Sequence, residues 1–157
     1  MKKLIASSIF ILLFSTCIFS APLPSILGIK LEMKEDTARK ILQKMGKQQK
    51  EEKKEEEEEE GGEEEIWVLN GNSNYDSLIV GFDRKHLVRY VSVFAGKKGG
   101  SVRYSSIGNV KEAKFESNSS NYRYTWNVAA KGKNPHFLVI ARGTDKEFLS
   151  SYSIKKF

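Results

Sequence analysis

The sequence predicts an α+β domain, an N-terminal helix packed on an antiparallel sheet of about five or six strands. Two patterns carry that expectation. Ala38, Ile41, Leu42 and Met45 recur at helical spacing and form an apolar stripe opposite Lys40, Lys44 and Lys47. From Ile66 onward, short apolar or alternating runs are separated by turn-rich breaks, as strands joined by tight connections would be. A helical stretch followed by consecutive strands places the helix against one face of the sheet.

The chain opens with Lys2 and Lys3 and an apolar stretch from Leu4 to Phe19, followed by Ser20, Ala21, Pro22 and Pro24. This is the layout of a secretory signal peptide, expected to cover residues 1–20. The stretch is shorter than the roughly 20 residues that span a bilayer. Its one cysteine, Cys17, has two readings. Cleavage after Ser20 discards it and leaves a free periplasmic or secreted protein. Cleavage before it makes it the lipid-bearing first residue of an outer-membrane lipoprotein. Phe14 and Thr16 before it, and Ile18 and Phe19 after it, fit a lipidation signal poorly, so free export is the favoured expectation.

Net charge is +6, unevenly placed. Residues 51–65 hold eleven Glu against Lys53 and Lys54, whereas residues 66–157 hold fifteen Lys and Arg against six Asp and Glu. A basic body suits nucleic acid, but an exported protein rarely meets it. Anionic glycans, lipid headgroups or an acidic protein surface are the partners that fit the address.

Residues 21–28 read as a linker and 29–50 as the helix, with Gly46 ending or weakening its packed part. Residues 51–65 read as an acidic low-complexity loop, because successive Glu repel one another. Residues 66–157 read as the β-sheet body. Tyr122, Tyr124, Trp126 and Val128 alternate with Arg123, Thr125 and Asn127, one set on each face. The continuous apolar run Phe137 to Ala141 is expected to be a central strand buried on both faces. Asp145 is placed to cap a helical turn at 144–148. Ser151 to Lys155 reads as a lysine-guarded edge strand. Asn109 to Glu116 fits either a short strand or a helical turn.

Asp83 to Leu87 has the length of a type I turn followed by a left-handed bulge residue, His86. Glycine is the usual occupant, so His86→Gly is expected to raise the melting temperature. This register sets Phe82 opposite Val88, Val80 opposite Tyr90 and Leu78 opposite Ser92, with Ile79, Val91 and Val93 on the other face. That second face is partly apolar and needs either a cover or a partner.

The order of these features resembles a known family. A helix containing Leu31-Glu32-Met33, Ala38, Ile41-Leu42 and Gly46 precedes a strand with Trp67. Then come a loop, a strand ending Val80-Gly81-Phe82-Asp83, a short turn and Val88. Residues 28–94 in this order resemble the SmpA/OmlA (BamE-like) envelope domain and, more broadly, β-lactamase-inhibitor-like folds. The resemblance implies a small envelope protein that binds other proteins and has no catalytic residues.

The residues themselves offer no catalytic constellation. Nucleophilic catalysis needs a nucleophile, a base and an orienting group held together, and the two histidines, His86 and His136, stand outside any such motif. Zinc needs three or four ligands at close spacing. Glu112 and Glu116 are carboxylates one helical turn apart if that stretch is helical, a spacing common on solvated faces. Lys97-Lys98-Gly99-Gly100 lacks the phosphate-loop pattern. No catalytic, metal or cofactor site is therefore expected. The leading expectation is a non-catalytic envelope domain that binds a protein partner. The alternative is a binder of anionic glycan or lipid through Lys97, Lys98, Arg103, Lys131 and Lys133. Tyr75, Tyr104 and Tyr152, near turns or the chain end, are the aromatics expected at the surface. Trp67 and Trp126 are expected in the core.

Overall fold

The computed structural model describes residues 25–49, 62–72, 74–96 and 102–157. Residues 1–24, with Cys17 and the stretch read as an export signal, the Glu run through residue 61, and Lys97 and Lys98 lie outside these. In chain order the elements are β1 (Ser25–Ile26), β2 (Ile29–Lys30), α1 (Glu35–Met45), β3 (Gly46–Gln49), β4 (Glu64–Leu69), β5 (Tyr75–Phe82) and β6 (Val88–Ala95). Two 3-10 turns follow, Tyr104–Ser106 and Val110–Glu112, then β7 (Lys114–Ser117), β8 (Tyr122–Val128), β9 (Phe137–Gly143) and β10 (Ser151–Lys156).

The fold is mostly β, which corrects the α+β expectation. Among the described residues, eight strands form one antiparallel sheet in the order β3-β4-β5-β6-β10-β9-β8-β7, and β1 and β2 form a separate two-stranded sheet. The helix is only eleven residues long. Residues read as linker and helix start are instead a hairpin, with Ile26 opposite Ile29. Its two turn residues, Leu27 and Gly28, both have positive φ, as a primed two-residue turn requires. The expected last turn of the helix is β3. A Cβ on Gly46 would lie 2.0 Å from the Val68 carbonyl oxygen, so glycine is what lets the helix pass directly into a paired strand. Within α1 the apolar stripe holds: Ala38 and Leu42 are fully buried, and Ile41 and Met45 pack at the core margin.

The large sheet is two four-strand meanders joined by β10. Residues 151–156 are therefore the central seam, hydrogen-bonded to both β6 and β9, and not an edge. Short connections explain each meander, but the seam joins Val91 to Ile154, a pairing that no local signal encodes. Register divides the faces cleanly. One inner row crosses the sheet through Gln48, Trp67, Leu78, Val93, Tyr152, Ala141, Tyr124 and Phe115. Helix α1 and the β1–β2 hairpin cover the β4–β6 half of this inner face. The 102–113 segment covers the β8–β9 half, where Trp126 Nε1 donates to the Asn109 carbonyl at 2.9 Å and Tyr104 packs on Tyr124.

His86 has φ +57°, as the turn pattern requires, and Asp83 Oδ1 accepts from the Lys85 and Leu87 amides. Phe82 faces Val88, but the register then slips by one, so Val80 faces Val91 and Leu78 faces Val93. The extra residue is Arg89. The slip carries Val91 and Val93 onto the inner face and Tyr90 and Ser92 onto the outer one, reversing the sequence-based assignment of those four. Phe137 to Ala141 is likewise covered on one face: Phe137, Val139 and Ala141 are buried, while Leu138 and Ile140 face outward half-exposed.

A buried ionic clamp fastens α1 to the sheet. Glu65, assigned by sequence to a solvated loop, is 3% exposed on β4. Its Oε1 accepts from Arg39 Nε at 2.6 Å and its Oε2 accepts from Trp67 Nε1 at 2.9 Å. The same guanidinium pairs with buried Glu35 one helical turn away and with Glu63 at 3.2 Å, and it lies over the Phe82 ring. Burial works against the charge on Arg39, but the Glu65 hydrogen bond and the three carboxylates outweigh it and hold its pKa above the ordinary value. Glu35 also takes His86 Nδ1 at 2.7 Å.

Removing the cation would leave two buried carboxylates uncompensated. Arg39→Met is expected to lower unfolding free energy by about 3 kcal/mol or more in urea titration. Lys40→Ala, on the exposed side of the same turn, should stay within about 0.5 kcal/mol. The expected gain from His86→Gly is also revised, because relief of the left-handed cost, about 1 kcal/mol, is set against loss of the bond to Glu35. A double-mutant cycle of His86→Gly with Glu35→Gln should give a coupling of about 0.5 kcal/mol or more. Strict additivity would show that the bond contributes nothing.

Candidate functional site

The residues singled out by sequence do not converge. Tyr75 is 7% and Tyr104 2% exposed, and Tyr152 packs half-buried against Tyr75 with ring centroids 5.9 Å apart. All three belong to the inner face or its cover and not to a surface, because the strands they flank turn those rings inward. Burial, reinforced by Tyr124 and Asp145, pushes the Tyr104 hydroxyl up to about 12, and burial raises Tyr152 and Tyr75 as well. Trp67 and Trp126 are core residues, as expected. Lys131 and Lys133 sit on the exposed turn at the end of β8, closed by the Lys131–Asn134 bridge. Arg103 bridges to Phe148, beyond the opposite end of the β8–β9 pair, with Nη1 2.6 Å from Glu147 Oε2. Roughly seven strand residues, about 20 Å, separate the two ends. The three described members of the expected cationic patch therefore do not form one.

The histidines are apart and occupied. His86 serves the clamp, and His136 bonds Asn127 and stacks on Phe157. Glu112 accepts from Asn109 Nδ2 in a 3-10 turn, and Glu116 lies on β7 beside Lys114 and Arg123, so the two carboxylates do not share a helix. Among the described residues there is no group of three or more His, Cys, Asp or Glu able to hold a metal, and no helix long and apolar enough to cross a membrane.

What the structure does present is the outer face. One row there runs Gln49, Ile66, Ile79, Ser92, Ser153, Ile140, Thr125 and Lys114; the next runs Lys47, Val68, Ser77, Phe94, Ser151, Arg142, Arg123 and Glu116. Val68 is 46% and Phe94 38% exposed, and Ile66, Ile79, Leu138 and Ile140 are half-buried. The helix, hairpin and 102–113 segment all lie on the other side. Among the described residues this face carries Lys47, Lys114, Arg123, Arg142 and Lys155 against Glu64 and Glu116; its apolar residues gather on β4 to β6, and a hydrogen-bonded Ser92–Ser153 pair lies at the sheet's centre. Tyr90 lies across Gly81, where a Cβ would meet its ring, and its hydroxyl bonds Glu64.

Among the described residues, two concavities beside the sheet stand out. One, of about 540 Å³, lies between Arg84, Lys85, Arg89, Lys156 and Glu32, beside the β5–β6 turn. There Lys156 pairs with Glu32, and Asp83 is spent on backbone amides. The other, of about 320 Å³, is lined by Glu116, Ser117, Asn118, Asn121, Tyr122, Arg123 and Arg142. Sequence reasoning missed both, because each is assembled across strand pairings.

The chain matches no family model, no curated protein and no solved structure.

Asp145 Oδ1 accepts from the Glu147 and Phe148 amides, and these bonds hold its carboxyl below the ordinary range. It thus organises the Thr144–Phe148 loop without forming the expected helical turn. A carboxyl lowered in the folded state stabilises above its unfolded pKa of about 3.9, and that contribution disappears as pH falls through the folded value. Asp145→Asn should therefore lower the melting temperature at pH 7, with the difference from wild type vanishing in acid. A difference that persists in acid would assign the loss to something other than the ionised carboxylate.

Proposed function

We propose that this chain is a non-catalytic exported envelope domain that binds another protein through the outer face of its sheet. The observation that carries the reading is that face: a wide antiparallel surface with exposed Val68 and Phe94 beside half-buried Ile66 and Ile79 on β4 to β6, left bare by every described covering element. Antiparallel sheets often leave one face to water, but such a face is normally polar. Contiguous apolar surface on a soluble domain marks a contact site. The cations around it define the partner as a protein surface whose apolar centre is bordered by carboxylates.

The export signal read from residues 1–20 supplies the address, and the resemblance of residues 28–94 to SmpA/OmlA-like domains supports a binding role over a catalytic one. The alternative, a binder of anionic glycan or lipid through Lys97, Lys98, Arg103, Lys131 and Lys133, loses support because Arg103 is paired with Glu147 and remote from Lys131 and Lys133.

Immobilised protein is expected to retain a reproducible set of envelope proteins that Val68→Asp and Phe94→Asp variants, folded by circular dichroism, fail to retain. Capture undiminished by both substitutions would falsify the assignment of this face.

A further inference from the structure

We infer that the pocket at the β7–β8 end of the outer face binds an acidic sugar unit, with the Arg123 and Arg142 guanidinium groups holding its carboxylate. Arg123 and Arg142 also belong to the cations of the outer face, but Val68 and Phe94, on which the protein-binding reading is tested, do not line this pocket, so the two proposals fail separately.

The first argument is the arrangement of charge. Arg123 and Arg142 are direct cross-strand partners on β8 and β9 and point to the same face. Like charges directly opposite destabilise a strand pair. The neighbouring carboxylate does not neutralise both. Glu116 approaches Arg123 Nη1 at 3.5 Å from one side, while its other oxygen is held by Lys114 Nζ at 2.8 Å. That Lys114 hydrogen bond, the largest influence on it, keeps the Glu116 carboxyl below the ordinary range. Two cations thus share one carboxylate, and among the described residues no ion pair engages the third, Arg142.

The second argument is an open fork. Among the described residues Arg123 Nε has no hydrogen-bond partner, and the side chain as a whole is 42% exposed. A guanidinium fork is matched in shape to a planar carboxylate.

The third is the lining and its size. Asn118 Oδ1 is committed to the Ser120 and Asn121 amides, so that side chain has only its amide donors to offer. Ser117 and Asn121 add polar groups suited to ring hydroxyls. At about 320 Å³ the space exceeds what one carboxylate fills and lies at the small end of ligand pockets. An anionic ring bearing hydroxyls fits both the volume and the donor-rich lining. Because the arginines project from paired strands, the site is held by the sheet.

The test is an NMR titration of the full chain with glucuronate, reading the arginine Nε–Hε and asparagine side-chain amide signals. Glucose, acetate and inorganic sulfate are the comparison arms. Saturable glucuronate binding with Kd on the order of 1 mM is expected, with the three comparators weaker. Arg142→Gln, at an exposed position, should weaken glucuronate at least about tenfold, the loss of one charge-assisted contact. Arg142→Lys, which keeps the charge without the fork, should also weaken it, and Lys133→Gln should leave it unchanged. The proposal is overturned if glucuronate does not saturate or if glucose binds as well. Acetate or sulfate matching glucuronate would reduce the site to one for a bare ion. A loss with Lys133→Gln equal to that with Arg142→Gln would reduce it to diffuse charge.

Discussion

The guanidinium of Arg39 is the joint between the two layers of this protein. It projects from the short helix and meets buried Glu35 on its own element and buried Glu65 on β4, whose second oxygen is taken by the indole of Trp67. Burying carboxylates is costly unless they are paired and hydrogen-bonded. Each of these carboxylates has partners from separate segments, which ties helix, strand and the His86 turn into one arrangement. An eleven-residue helix has little stability of its own, so its position depends on this contact together with Ala38 and Leu42.

With the helix fixed over β4 to β6, the rest of the sheet has to be closed by the chain's last strand. β10 lies between β6 and β9 and unites two meanders that would otherwise each present a long bare edge. The inner face becomes continuous from Trp67 to Tyr124, covered by helix and hairpin at one end and by the 102–113 segment at the other. The cost of this arrangement is sequence distance. The seam pairs Val91 with Ile154, which is the kind of non-local pairing that slows folding.

Covering one face leaves the other to solvent, and both candidate sites follow from that. Exposed Val68 and Phe94 and the arginine pair at Arg123 and Arg142 lie in a single row of the sheet. Single positions on different strands become one surface only through register. The expected cationic patch failed for the matching reason: Arg103 and Lys131 lie at opposite ends of a strand pair.

The sequence by itself determined the local elements whose physics is local. The apolar stripe of α1, the alternation along β8 and the left-handed His86 turn are legible because helical and strand periodicities and turn chemistry act over a few residues. The expectation of a helix on a smaller sheet, drawn from periodicity, underestimated the strand content, since residues 25–30 and 46–49 carry weak patterns that pairing partners convert into strands. Tertiary structure decided what local chemistry does not encode. A single extra residue, Arg89, turned Val91 and Val93 inward. Partners from the helix and from β4 made burial of Glu65 tolerable in a stretch that reads as solvated acid. The place of β10 in the sheet settled which face is core and which is open, because periodicity fixes which residues share a face, while only packing decides what that face meets.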